Sequence, residues 1–169
     1  MDPPYPGQVK AGRYKADPKA AEVDSVDLML RVHAEGYDGW ALSTSSPTLR
    51  VLAPAMPQGT RIMAWVKPFA VFRPNVWPAY AWEPVLFWGG RKRQKGSTNP
   101  RKTPFDWVSG MPTMGGIKWG AKTPEFCWWL FDCLNAREGD TLHDMFPGTG
   151  GVGMAWEFYK RALAQTGGR

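Results

Sequence analysis

The sequence predicts a single α/β domain over residues 1–169, built on a largely parallel sheet. Two observations predict this fold. Short apolar runs alternate with segments of helical periodicity, which is the order that strand–helix–strand units produce. Near the carboxyl end, the glycine-rich stretch 148–153 stands between a predicted strand and a predicted helix, where a ligand-binding turn lies in such folds.

The amino-terminal half is predicted to contain a helix over 22–34, because its apolar residues recur at helical spacing and Gly36 follows as a stop signal. The apolar run 40–42 is expected to form a buried strand. A short helix is expected over 47–55, with Ser46 as its N-cap and a proline at its first position.

The remaining elements continue the alternation. Strands are predicted at 61–66 and 85–88, where apolar residues run almost without a break. A helix is predicted over 123–136, since a threonine starts it and a proline fits its first turn. A strand at 141–146 then leads through the glycine-rich turn into a last helix over 152–164.

Basic residues are concentrated in residues 89–121, a stretch rich in glycine and proline that is predicted to be an inserted loop. The chain carries a formal charge of +6. Six cations of this stretch are Arg91, Lys92, Arg93, Lys95, Arg101 and Lys102. Such a run is either a solvated loop or a surface that contacts phosphates. The second interpretation makes it a target-recognition loop for nucleic acid.

Composition excludes several classes of protein. No apolar run reaches the roughly 18 residues of a membrane span, and the amino terminus lacks the features of a signal peptide. Cys127 and Cys133 point to different faces of a predicted helix, so we expect reduced thiols. Two histidines without a Cys/His cluster do not indicate a metal site. The composition therefore indicates a cytoplasmic protein without a membrane or a metal as partner.

The second residue begins a rigid tetrapeptide, Asp2-Pro3-Pro4-Tyr5. The two prolines fix the backbone and lack an N–H, so their carbonyl groups remain as acceptors. An exocyclic amino group has two N–H donors, which the Asp2 carboxylate and the Pro3 carbonyl can accept together. Tyr5 can stack on a base that is rotated out of its duplex. The alternative is a proline-rich terminus without a site.

In their order along the chain, these motifs resemble those of the amino-methyltransferases that use S-adenosylmethionine (SAM) to modify N6 of adenine or N4 of cytosine. In that family Asp-Pro-Pro-Tyr is the catalytic motif, and a strand reading Asp-Pro-Phe-x-Gly-Ser-Gly is the second signature. The second signature stands in this chain as Asp-Met-Phe-Pro-Gly-Thr-Gly at 144–150, and Lys122-Thr123-Pro124 resembles a Lys-Pro pair that opens a helix before it. The catalytic motif comes first, as in the permuted β class, whose order of motifs the MT-A70 group shares. Segments of this chain also resemble MT-A70-like and phage-type enzymes.

The resemblance implies a Rossmann-like methyltransferase sheet with helices on both faces, and N6 of adenine in DNA as the substrate, with RNA and N4 of cytosine as alternatives. It implies a catalytic set formed by Asp2, Pro3, Pro4 and Tyr5. It implies a SAM-binding set formed by Asp144, Phe146, Gly148, Thr149 and Gly150, with Lys122 near the carboxylate of SAM. Neither a metal nor a covalent intermediate is implied, and the expected location is a bacterial or phage-infected cytoplasm.

Two departures from the family pattern concern the ends of the chain. The family has a hydrophobic strand directly before the catalytic motif, whereas only Met1 precedes Asp2, and it has further strands after the cofactor motif. We therefore expect a fragment that lacks some strands of the sheet, with Asp2 poorly anchored. The alternative is a reduced protein that lacks those strands and is inactive. The alternative functions are an inactive, nucleic-acid-binding remnant of such an enzyme and a nicotinamide-dependent oxidoreductase, which the glycine motif alone would also fit.

Overall fold

The computed structural model describes residues 1–4, 9–10, 22–68, 74–92, 103–110 and 122–166. In chain order its helices are α1 (Ser25–Ala34), α2 (Ser46–Leu52), α3 (Pro124–Cys133) and α4 (Gly151–Thr166), and a 3₁₀ turn, Ala53–Ala55, extends α2. Its strands are β1 (Gly39–Ser43), β2 (Arg61–Val66), β3 (Trp82–Gly89) and β4 (Trp107–Ser109). The four predicted helices and the first three predicted strands are therefore confirmed, with ends that differ by a few residues.

The described strands form one mixed sheet in the order β1-β3-β2-β4. β3 is antiparallel to both β1 and β2, and β2 is parallel to β4. β1 and β2 run in the same direction, as a strand–helix–strand unit requires, but β3 inserts between them with the opposite direction. The prediction of a largely parallel sheet is therefore wrong for the described strands, because element alternation does not reveal which strand lies between two others.

Two further elements differ from the sequence predictions. No ladder joins residues 141–146 to a described strand; this segment lies beside the start of β1, where Tyr37 Oη is 3.0 Å from His143 Nδ1. An apolar run becomes a strand only when a neighbour satisfies its backbone groups. Conversely, β4 lies within the 89–121 stretch that we predicted to be a loop, because it pairs with Ala64–Val66 of β2. β4 has only three residues, which are too few to show the alternation of apolar and polar residues that predicts a strand.

Helices cover both faces of the sheet, as the resemblance implies. Successive residues of a strand point to opposite faces, so β3 contributes Leu86 to one core and Val85 and Phe87 to the other. The core under α1 and α2 contains Leu28, Met29, Val32, Trp40, Leu42, Leu52 and Leu86. The core under α3 and α4 contains Met63, Trp65, Val85, Phe87, Phe126, Trp129, Phe131, Trp156 and Tyr159.

Local signals fix the ends of three of the helices. Gly36 follows α1 with φ +76°, a conformation that favours glycine, as its stop role predicts. Thr123 is the N-cap of α3, and its Oγ1 accepts a hydrogen bond of 3.2 Å from the Phe126 N–H. The N-cap of α2 is Ser45, whereas we predicted Ser46, because the helix begins one residue earlier than expected. Among the described residues, no helix is long and apolar enough to cross a membrane.

Candidate active site

The candidate active site lies at the end of the sheet where β1, β2 and β4 finish and β3 begins. Backbone hydrogen bonds hold this edge together: the Thr44 N–H donates to the Pro84 carbonyl at 3.0 Å, and the Gly110 N–H donates to the Val66 carbonyl at 3.1 Å. Ligands of open α/β sheets bind outside the carboxyl ends of parallel strands. Three strands of common direction end here, so side chains that follow them can converge on one ligand.

The amino terminus is fixed to this edge by two hydrogen bonds. The Met1 ammonium donates to the Ala41 carbonyl at 2.9 Å, and the Met1 carbonyl accepts from the Ser43 N–H at 3.1 Å. These bonds form the pattern of a parallel bridge to β1. Pro3 and Pro4 are buried. The expectation that Asp2 is poorly anchored is therefore wrong, while Tyr5 lies outside the described residues.

Lys122 joins Asp2 to the residues that precede α3. Its Nζ lies 3.1 Å from Asp2 Oδ1 and 3.5 Å from Glu83 Oε2. The Lys122 side chain is only 7% exposed, whereas those of Asp2 and Glu83 are 29% and 24% exposed. Lys67 Nζ forms a close ion pair with the other Glu83 oxygen, Oε1. Four charges that alternate in sign therefore lie in contact at this edge.

An aromatic floor lies under the two lysines. Lys67 Nζ is 4.4 Å and Lys122 Nζ 4.9 Å from the centroid of the Trp65 ring. Lys122 Nζ also lies 5.4 Å from the centroid of Phe126. Burial lowers the pKa of Lys67, and the adjacent Glu83 carboxylate opposes that shift by raising it. The ring faces favour cations at these positions.

Asp144 belongs to the same electrostatic neighbourhood. Burial lowers the pKa of the Met1 amino group, and the carboxylates of Asp2 and Asp144 oppose this shift by raising it. Burial raises the pKa of the Cys127 thiol to about 11, against the opposing effect of Lys122. Asp144 Oδ1 accepts a hydrogen bond of 3.3 Å from the Phe146 N–H. Its Oδ2 is buried, and no group in the described part of the chain donates to it.

The glycine-rich turn after Asp144 is exposed and leaves open space in front of it. The Gly150 N–H closes the turn on the Pro147 carbonyl at 2.7 Å, and the Met154 N–H donates to the Gly150 carbonyl at 3.0 Å to begin α4. Gly148 and Gly150 have φ values of +49° and +78°, which residues other than glycine rarely adopt. A Cβ built on Gly150 would meet no atom within 4 Å.

The SAM-binding set predicted from the resemblance does not all face this space. Phe146 is half-buried and packs, with Met145, against the core under α1 and α2. Thr149 is exposed in the turn. A Cβ built on Gly151 would lie 3.9 Å from the Lys122 carbonyl, so the turn adjoins the Lys122 backbone. The resemblance placed the Lys122 ammonium near the carboxylate of SAM, whereas it contacts Asp2 and Glu83 here.

The two described cations of the predicted phosphate-contacting set, Arg91 and Lys92, follow the opposite end of β3. Arg91 forms two hydrogen bonds of 2.5 Å to the Asp140 carboxylate and one of 3.4 Å to the Asn135 carbonyl. The Arg91 guanidinium holds the pKa of Asp140 below its usual value. Lys92 is exposed. The other four predicted phosphate contacts, Arg93, Lys95, Arg101 and Lys102, lie outside the described residues.

Sequence reasoning gave no role to Lys67 or Glu83. Both are charged residues at strand ends that are otherwise apolar: Lys67 directly follows β2, and Glu83 is the second residue of β3. Because charges at strand ends are usually solvated, this signal alone did not separate them from surface residues. Two such charges on neighbouring strands at one edge of a sheet would have been the sign to look for.

Comparisons with known proteins bear on the fold alone. No protein-family model matches the chain, and no curated protein matches it. Among solved structures, the chain is similar to the crystal structure of the M1.HpyAVI–SAM complex, with a TM-score of 0.59 at 16% sequence identity. The similarity covers 94% of this chain and 75% of that chain. The α/β fold with its mixed, four-stranded sheet therefore resembles that of a protein crystallised with SAM.

Proposed function

We propose that this chain is a SAM-dependent methyltransferase that acts on the exocyclic amino group of a nucleobase, with N6 of adenine in DNA as its substrate. The observation that carries the proposal is the contact of 3.1 Å between Asp2 and Lys122, since it joins the amino-terminal motif to the residues that open α3, at one edge of the sheet. The order of these motifs is that of the permuted β class. The fold similarity to the M1.HpyAVI–SAM complex supports the choice of cofactor.

The residues around the glycine-rich turn fit SAM. The buried Asp144 Oδ2 has no donor among the described residues, and a buried carboxylate oxygen is stabilised by an ammonium or hydroxyl donor. SAM carries both kinds of donor. The open space in front of Gly150 admits a ligand close to the backbone. Asp144, Gly148, Thr149 and Gly150 would hold SAM there, with Phe146 supporting the turn from the core.

The role of the amino-terminal motif follows from its acceptors. When bound, SAM supplies a methyl group on a sulfonium sulfur. The Asp2 carboxylate and the Pro3 carbonyl would accept the two N–H groups of the target amine and direct its lone pair towards that methyl group. The Asp2 carboxylate or solvent would take up the proton that the amine loses on methylation. Catalysis of this kind depends mainly on positioning.

Nucleic-acid binding in this proposal uses the basic stretch. Lys92 and the cations Arg93, Lys95, Arg101 and Lys102 would contact phosphates, which makes the affinity for DNA fall as salt rises. Arg91 would take part only when a phosphate displaces the Asp140 carboxylate, because that pair already satisfies its guanidinium. Tyr5 would stack on the target base.

Transfer of a labelled methyl group from SAM to unmethylated oligonucleotides tests the proposal. We expect transfer with the wild-type chain, whereas Asp2→Ala should bind SAM in calorimetry with wild-type affinity and transfer nothing. Failure to bind SAM combined with salt-dependent binding of DNA would instead favour the nucleic-acid-binding remnant. A fluorescence titration with a reduced nicotinamide cofactor separates the oxidoreductase alternative from both.

A further inference from the structure

A series of alternating charges crosses the candidate active site from the sheet to the amino terminus. Both oxygens of the Glu83 carboxylate are engaged, since Oε1 contacts Lys67 Nζ and Oε2 lies 3.5 Å from Lys122 Nζ. Lys122 Nζ in turn lies 3.1 Å from Asp2 Oδ1. Glu83 therefore reaches Asp2 through the ammonium group of Lys122.

Glu83 is the member of this series that belongs to the sheet. It lies in β3, where its Cα pairs with that of Trp65 in β2. The Trp65 ring also lies under the ammonium groups of Lys67 and Lys122, which limits the positions that both can occupy. Asp2, by contrast, lies outside the strands and helices. A rigid strand residue thus sets where the Lys122 ammonium stands, and that ammonium sets where the Asp2 carboxylate stands.

Lys122 contacts one oxygen of the Asp2 carboxylate. Its Nζ lies 3.1 Å from Oδ1, and the Asp2 side chain is 29% exposed, so an incoming amine can reach the carboxylate. An ammonium that is no longer shared with Glu83 is free to move between the two Asp2 oxygens and to compete with that amine.

We propose that Glu83, itself held by Lys67, is a positioning residue that keeps Lys122 on Asp2 Oδ1 and so leaves the carboxylate available to the target amine. This inference rests on the proposed function, because it gives Asp2 an amine to bind. It assigns to Glu83 an effect on turnover and none on the binding of SAM.

Replacement of Glu83 by glutamine removes the charge and keeps the shape of the side chain. We expect kcat to fall about 10- to 100-fold, as small misplacements of a reacting group cause, while KM and Kd for SAM stay within about twofold. Asp106→Asn is the matched control, since it removes a carboxylate that pairs with Arg61 at 3.3 Å, at the other end of β2. That variant should keep wild-type kcat.

A second readout does not depend on activity. The carboxyl carbon resonance of Asp2, assigned by its loss in Asp2→Asn, should shift in Glu83→Gln and stay unchanged in Asp106→Asn. If Glu83→Gln does not fold, the Lys67→Gln variant is used in its place. Without Lys67, Glu83 keeps only Lys122 of its two lysine partners and should draw it away from Asp2, with the same fall in kcat.

Two results would overturn the inference. One is a Glu83→Gln protein with wild-type kcat and an unmoved Asp2 resonance. The other is a parallel loss of SAM binding and turnover, which indicates a general loss of structure or a direct contact with SAM. A wild-type chain that transfers no methyl group overturns the proposed function instead, and the Asp2 resonance then still decides whether Glu83 positions this carboxylate.

Discussion

Replacing Lys122 with methionine removes the cation that joins Asp2 to Glu83. The Lys122 side chain is 7% exposed, so water does not replace its charge when the ammonium is lost. Methionine has a similar length and keeps apolar contact with the rings of Trp65 and Phe126. The substitution therefore tests the ion pairs rather than the packing.

The expected loss in the free energy of unfolding depends on the solvent exposure and the remaining ion pairs of the two carboxylates. Removal of one partner from a fully buried ion pair costs about 3–5 kcal/mol. Here Asp2 and Glu83 are 29% and 24% exposed, and Glu83 retains Lys67, so we expect the cost to fall below that range. A loss of about 2–3 kcal/mol in the free energy of unfolding lowers the Tm of a chain of this size by about 4–12 °C.

Thermal unfolding followed by circular dichroism measures this loss. The matched control is Lys160→Met, which removes a surface pair of 2.9 Å with Glu157, whose side chain is 59% exposed. Such a pair contributes about 0.3–0.5 kcal/mol, so the control should lower Tm by less than about 2 °C. A Lys122→Met protein that melts together with the control would refute the account of Lys122 as the cation that holds Asp2.

Three further predictions concern stability and the thiols. Thr123→Ala removes the N-cap of α3 and should lower the free energy of unfolding by about 1–2 kcal/mol in a urea titration, whereas an unchanged value would contradict the cap. Arg91 lowers the pKa of Asp140, so this carboxylate stabilises the fold above its ordinary pKa of 3.8, and the effect is lost as pH falls through the lower pKa of the folded state. The Tm values of wild type and Asp140→Asn should therefore converge in acid, and a difference in Tm that does not change with pH would contradict the ion pair. Burial raises the pKa values of Cys127 and Cys133 to about 11 and about 12, so both thiols should react slowly with a disulfide reagent at about pH 8 until the chain unfolds. The free energy of unfolding should fall as pH rises above 9.0, because the thiols of the unfolded chain ionise first.

Helix ends were predictable because their signals are local. Gly36 and Thr123 act within one turn of the helix that they end or begin, and both have the roles that the sequence predicts. The direction of β3 was not predictable in this way, since the position of a strand in a sheet depends on contacts between distant residues. For the same reason 141–146 has the composition of a strand and none of its pairing in the described chain.

The candidate site was predictable in its parts and not in its contacts. The resemblance implied a role for Asp2 at the target amine and for Lys122 and Asp144 beside SAM. In the structure the charges of all three affect the pKa of the Met1 amino group. The partner of Lys122 was not predictable, because a lysine near a cofactor and a lysine paired with a carboxylate look the same in a sequence. Only the fold brings Glu83 to it.

We propose that the chain transfers a methyl group from SAM to N6 of adenine in DNA. The product can be detected by mass spectrometry of the nucleosides from unmethylated DNA that is incubated with the chain and SAM and then digested. We expect N6-methyladenine from the wild-type chain and none from Asp2→Ala. Unmodified nucleosides from a wild-type chain that is folded and saturated with SAM would contradict it.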